Sequence, residues 1–141
     1  MSNQSNANEA NTNGLPVPEP SAVSAPFWEA TRKHRLVMQR CTACRHLVWY
    51  PRHVCPRCGG FSLEWEQLSG QGVVYAVSIH HRPAHPAFAE RVPYSVVLVD
   101  LDEGARIMSN VFGPPPSVGD QVSLTWLRLD DGRNLPVFEP R

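Results

Sequence analysis

The chain has 141 residues, 42% of them hydrophobic and 18% charged, and its formal net charge is zero. That length suits one ordinary globular domain or two small modules sharing a core, and it excludes a large multi-domain enzyme. Zero net charge excludes a global field that would draw the whole molecule to nucleic acid or to an anionic membrane.

Charge is nevertheless unevenly placed. Residues 27–60 carry seven Arg or Lys against the single acid Glu29, a net of +6, whereas residues 61–141 carry six bases and ten acids, a net of −4. Twelve of the 13 bases are Arg, whose planar fork suits phosphate and carboxylate partners. No stretch approaches the roughly 20 apolar residues that cross a bilayer, and residues 1–26 lack the basic and apolar regions of a secretory signal. The expectation is a soluble, cytoplasmic protein with no membrane partner. In a reducing compartment, regularly spaced cysteines read as ligands before they read as disulfides.

Residues 1–26 are rich in Asn, Ser, Pro and Ala with little to bury, which predicts a disordered tail. Pro26 suits a helix start, and Phe27–Arg35 (FWEATRKHR) predicts a short amphipathic helix with Phe27, Trp28 and Thr31 on one side and Arg32, Lys33 and Arg35 mostly outward. Residues 27–40 then form the helix and a lead-in strand, LVMQR at Leu36–Arg40. Residues 41–68 form a ribbon, with LVWY (47–50) crossing between two cysteine pairs and FSLEWEQL (61–68) leaving as a strand. From 69 to 141 the pattern is plainly β. Val73, Tyr75, Val77 and Ile79 alternate, YSVVLVDL (94–101) and RIMSNVF (106–112) flank an Asp102-Glu103-Gly104 turn, Val122, Leu124 and Trp126 alternate again, and Leu135–Phe138 closes the set. About five strands with Gly at the corners point to a small Greek-key barrel of the OB-fold type.

Cys41, Cys44, Cys55 and Cys58 are spaced C-x2-C, ten residues, C-x2-C. Each C-x2-C turn aims two thiolates at one point, and two such knuckles build a tetrahedral sulfur cage for zinc, with iron suited by the same ligands. Four protein ligands leave no open position, so the metal's role is structural. Gly59 after the second knuckle suits a tight turn with positive φ; Arg45 stands at the equivalent place of the first.

Elsewhere, His80, His81, Arg82 and His85 form the densest polar cluster of the β region, and they read as a loop leaving a barrel strand more readily than as an acid–base site. No G-x-S-x-G, H-E-x-x-H or glycine-rich phosphate loop occurs. The absence of a recognisable catalyst favours a binding or assembly role.

The ordered set Phe27-Trp28-Glu29, Leu36 to Cys44, Tyr50-Pro51-Arg52, Cys55-Pro-x-Cys-Gly59, Ser69-Gly70-x-Gly72-x-Val74-Tyr75, Pro93-Tyr94, Leu101 to Arg106 and Gly119-Asp120-x-Val122 resembles the zinc-ribbon plus OB-fold proteins called domain of unknown function 35. The resemblance covers about residues 26–139. It implies a mainly β fold with an N-terminal helix, a rubredoxin-like zinc ribbon and a C-terminal OB-fold barrel. It also implies a non-catalytic accessory subunit in lipid metabolism, partnered with a thiolase-fold enzyme or aldolase, or with a hot-dog-fold enoyl-CoA hydratase, and close to acyl-CoA. Candidate acyl-CoA or partner contacts are Phe27, Trp28, Arg32, Arg35, His81 and Arg82. The rival class is a single-stranded nucleic-acid binder, which needs a basic, aromatic groove on the barrel; residues 61–141 are net acidic instead.

Overall fold

Alternation of apolar and polar side chains governs most of this fold, and the computed structural model, which describes residues 15–141, follows it strand by strand. The elements are α1 (Ala25–Thr31), β1 (Val37–Cys41), β2 (Leu47–Val48), β3 (Leu63–Gln67), β4 (Gln71–His80), a 3-10 turn at Pro86–Phe88, β5 (Tyr94–Leu101), β6 (Arg106–Phe112), β7 (Gln121–Arg128) and β8 (Asn134–Pro140). The protein is mainly β with one short helix, as the residue pattern predicts.

Strands β4 to β8 close into a barrel in the order β4-β5-β6-β8-β7, with β7 pairing back onto β4. All neighbours are antiparallel except β6 and β8, which meet in parallel at Val111 and Phe138. This is OB-fold topology. Along β5, Val97, Val99 and Leu101 point inward and Val96, Leu98 and Asp100 outward, the period-2 signature of a wall with one buried side. A bulge between Val74 and Ala76 bends β4, so that it pairs with β7 at its start and with β5 along its length. At the same bend a Cβ on Gly72 would lie 2.6 Å from Val99 Cγ1 and 2.7 Å from the Asp100 carbonyl, so barrel closure needs glycine there.

The smaller sheet has the order β2-β1-β3 and forms the base of the ribbon. Its strand β1 buries Val37 and Met38 in the core that contains Val74, Val97, Val122 and Phe138 of the barrel. Helix, ribbon base and barrel therefore share one apolar core, to which α1 contributes Phe27, 3% exposed.

The helix stops at Thr31, four residues before the predicted end, because the barrel captures it. Asn134 Nδ2 donates to the Thr31 carbonyl at 2.9 Å and Asn134 N donates to Thr31 Oγ1 at 3.2 Å, while Thr31 Oγ1 donates to the Trp28 carbonyl at 2.6 Å. His34, at φ 56°, then turns the chain into β1. Of the predicted tail, residues 1–14 lie outside the described residues. Beyond them, Leu15 is 5% exposed and the Pro18 carbonyl accepts a 2.9 Å bond from Arg133 Nη2. Arg133 also pairs with Asp131 and thereby holds that carboxyl below its ordinary range.

Gly72→Val tests the close approach of β4 to β5. Overpacking at this contact is expected to cost about 2–3 kcal/mol in urea unfolding, against under about 0.5 kcal/mol for an exposed control such as Ser78→Ala.

Candidate metal centre

The two knuckles are near copies in backbone conformation. Cys41 N donates to the His46 carbonyl at 2.9 Å and Arg45 N to the Cys41 carbonyl at 2.8 Å; in the second knuckle Cys55 N donates to Gly60 O at 2.8 Å and Gly59 N to Cys55 O at 2.9 Å. The left-handed position falls on Gly59 at φ 77° in one and on Arg45 at φ 69° in the other. Arg45 thus bears a conformation that glycine adopts without a Cβ clash, and Arg40 Nη1 steadies it by donating to its carbonyl at 2.9 Å.

The four sulfurs all lie within 4.8 Å of one another, with Cys41–Cys58 and Cys44–Cys55 each at 3.6 Å. A disulfide needs about 2.05 Å, whereas metal–sulfur bonds of about 2.3 Å in a tetrahedron put sulfurs about 3.8 Å apart. The spacing fits a metal. The Cys44 N–H, 3.5 Å from Cys41 Sγ, leads the groups that hold the Cys41 thiol down to about 6 against burial. Burial pushes Cys55 up, but the N–H groups of Cys58 and Arg57 outweigh it and keep that thiol below its ordinary value. Cys58 sits at about 11: the Gly60 N–H favours its thiolate, yet the crowding Cys41 sulfur, burial and the other two thiols prevail. Four thiolates this close repel one another, and a bound cation is what lets all four ionise together.

The remaining candidate residues separate. Phe27 is core, edge-on to Trp28 at 5.0 Å and tilted against Trp49 at 5.1 Å. Arg32 bridges Glu29 at 3.1 Å and the Asp131 carbonyl at 2.6 Å, which ties α1 to the β7–β8 turn, whereas Arg35 is exposed. His81 and Arg82 are exposed in the β4–β5 loop, and neither is among the residues that line the cleft beside Phe27 and Trp28. Under that loop, Phe88 and Tyr94 pack at 5.5 Å and Ala84 N donates to the Tyr94 hydroxyl at 3.3 Å.

A cleft of about 480 Å³ opens where helix, ribbon and barrel meet, walled by Trp28, Trp49 and Tyr50 and floored by Met108, Pro136 and Val137. Residue spacing gives no direct sign of it, since its walls come from four distant segments. The available clue is Met108, an apolar side chain at an outward position of β6.

A four-cysteine ribbon fastened to a closed five-stranded barrel defines a metal-ribbon/OB-fold protein. Residues 28–64 match the family model "ChsH2, rubredoxin-like zinc ribbon domain", and residues 65–127 match "ChsH2, C-terminal OB-fold domain". The chain belongs to this zinc-ribbon plus OB-fold family, the domain of unknown function 35. It is 44% identical over 118 residues to a "Probable enoyl-CoA hydratase alpha subunit" of Thermomonospora curvata, covering 81% of this chain and 36% of that protein. It is 33% identical over 109 residues to a "DUF35 domain-containing scaffold protein" of Methanocaldococcus jannaschii, covering 71% of this chain and 76% of the relative. A solved structure titled "Ltp2-ChsH2(DUF35) aldolase" contains a chain that superposes with a TM-score of 0.78 at 41% identity, covering 88% of this chain and 98% of that one. The chain thus spans about a third of the hydratase subunit, and nearly all of the matched aldolase-complex chain.

Elemental analysis is expected to find one metal ion per chain, lost in Cys55→Ser and released as acidification protonates the thiolates. Arg45→Gly is expected to retain the metal and to raise stability by about 0.5–1 kcal/mol in thermal unfolding, by removing the left-handed strain.

Proposed function

We propose that this chain is a non-catalytic accessory subunit of an acyl-CoA-processing enzyme, assembling with a thiolase-fold enzyme or aldolase, or with a hot-dog hydratase, and that its cage holds structural zinc. The observation that carries the reading is the likeness, at 41% identity, to the chain of the Ltp2-ChsH2(DUF35) aldolase, of which this chain covers 98%. The site chemistry supports it. Four cysteines fill a tetrahedral shell and leave no position for substrate, so zinc there supplies cohesion and no Lewis-acid step. Zinc is favoured over iron because cohesion needs no redox change, and the same four sulfurs would accept either.

The partner enzyme would carry the chemistry. This chain would supply a rigid surface and, from the helix and ribbon, positive charge near coenzyme A phosphates. Arg35 is the better candidate for that role, because Arg32 is already held by Glu29 and the Asp131 carbonyl.

Copurification from the native host with mass spectrometry is expected to recover an acyl-CoA enzyme subunit, and the purified chain alone to turn over no acyl-CoA. Recovery of a partner unrelated to acyl-CoA chemistry, or turnover by the chain alone that is lost in His81→Ala, would defeat the proposal. Arg35→Ala is expected to weaken acyl-CoA or subunit binding several-fold with the barrel still folded by circular dichroism.

A further inference from the structure

We infer that the enzyme subunit docks on the face formed by the helix–ribbon–barrel cleft and the ribbon beside it, by inserting an apolar side chain between Tyr50 and Met108 and ringing that anchor with acidic groups. The inference rests on the accessory-subunit reading and names the surface that serves it.

Three observations carry it. First, large apolar side chains are exposed together here: Tyr50 is 55% and Met108 58% exposed on the cleft, and Phe61, 79% exposed, lines a second hollow of about 300 Å³. The cleft is apolar in its lining, and the second hollow, whose lining includes Gln39, Arg52 and His53, takes neighbouring residues of the same two segments, 21–26 and 50–53; an exposed apolar cleft of this kind marks an interaction site. Second, the cleft is an open groove with aromatic walls, the form of a pocket that accepts an anchoring side chain at the centre of an interface. Third, cations at the second hollow and at the hollow next to it are unused. Arg52 lines the second hollow, and Lys33 and Arg35 line a third that shares Pro26 with it; none of the three has an ion-pair partner among the described residues.

Charge selects the occupant. A second copy docking about a two-fold axis would set these cations against one another. Residues 1–14 contain no aromatic or branched aliphatic side chain to fill the cleft. A folded partner with an acidic rim and an apolar anchor meets both requirements.

The test is titration calorimetry of the full chain with the purified enzyme subunit that copurifies with it, alongside octanoyl-CoA. Tyr50→Ala and Met108→Asp are each expected to weaken subunit binding by about 30-fold or more. Arg35→Glu with Arg52→Glu is expected to weaken subunit binding at low salt and to flatten its salt dependence. Val118→Asp, exposed but outside both hollows, is expected to bind as the unaltered chain does. If the unaltered chain binds the subunit and the Tyr50 and Met108 variants bind equally well, the docking face is wrong while the accessory reading stands. If Met108→Asp loses only octanoyl-CoA, the cleft is a ligand site and the docking proposal falls. If the unaltered chain binds no enzyme subunit at all, both fall together.

Discussion

The metal end of the ribbon cannot hold itself together by burial. Its apolar cluster consists of Cys41, Val48 and Cys55, with Cys44 and Leu63 packed alongside, so three of the contributors to β-knuckle packing there are ligands themselves. Burying so little apolar surface does not offset the entropy of ordering some twenty residues at about 1–2 kcal/mol each. A metal at the sulfur cage supplies the missing cohesion. The other end of the ribbon is in the opposite situation, because β1 feeds Val37 and Met38 into the core of the barrel. The ribbon is therefore fastened at its base by hydrophobic packing and at its tip by coordination.

This division explains where the exposed features lie. The segment between the cysteine pairs carries Trp49 and Tyr50, which wall the cleft, and its return is held by buried Gln39, whose Oε1 accepts from Arg52 N at 2.7 Å and whose Nε2 donates to the Arg52 carbonyl at 2.8 Å. A side chain that pairs with both backbone groups of one residue acts as a short piece of strand. The cage fixes both ends of the segment, Gln39 fixes it near Arg52, and the helix fixes Phe27 against Trp49. A preorganised surface of this sort binds with less ordering cost than a flexible one.

Much of this was legible in the residues. C-x2-C spacing predicts a cage because the chemistry of the turn is local, and period-2 alternation predicts barrel strands because each wall has one buried side. Features set by long-range contacts were less legible. The end of α1 depends on Asn134, more than a hundred residues away, and no local stop signal stands at Thr31. Arg32 reads as a free cation until the β7–β8 turn places the Asp131 carbonyl beside its guanidinium. The cleft is the extreme case, drawn from residues near 28, 50, 108 and 136 that share no spacing rule. Spacing is equally silent on which candidate contacts share a surface: Phe27 and Trp28 pack edge to face, whereas His81 and Arg82 stand in the β4–β5 loop.

Hydrogen exchange with and without a chelator tests the central claim, that the two cysteine knuckles depend on coordination while the barrel depends on packing. On metal removal, the amides of the two knuckles, residues 41–46 and 55–60, are expected to lose protection, while β1 to Met38 and the barrel strands β4–β8 keep theirs. Global loss of protection would mean that the barrel depends on the metal; unchanged protection in both knuckles would mean that the cage is not what holds them.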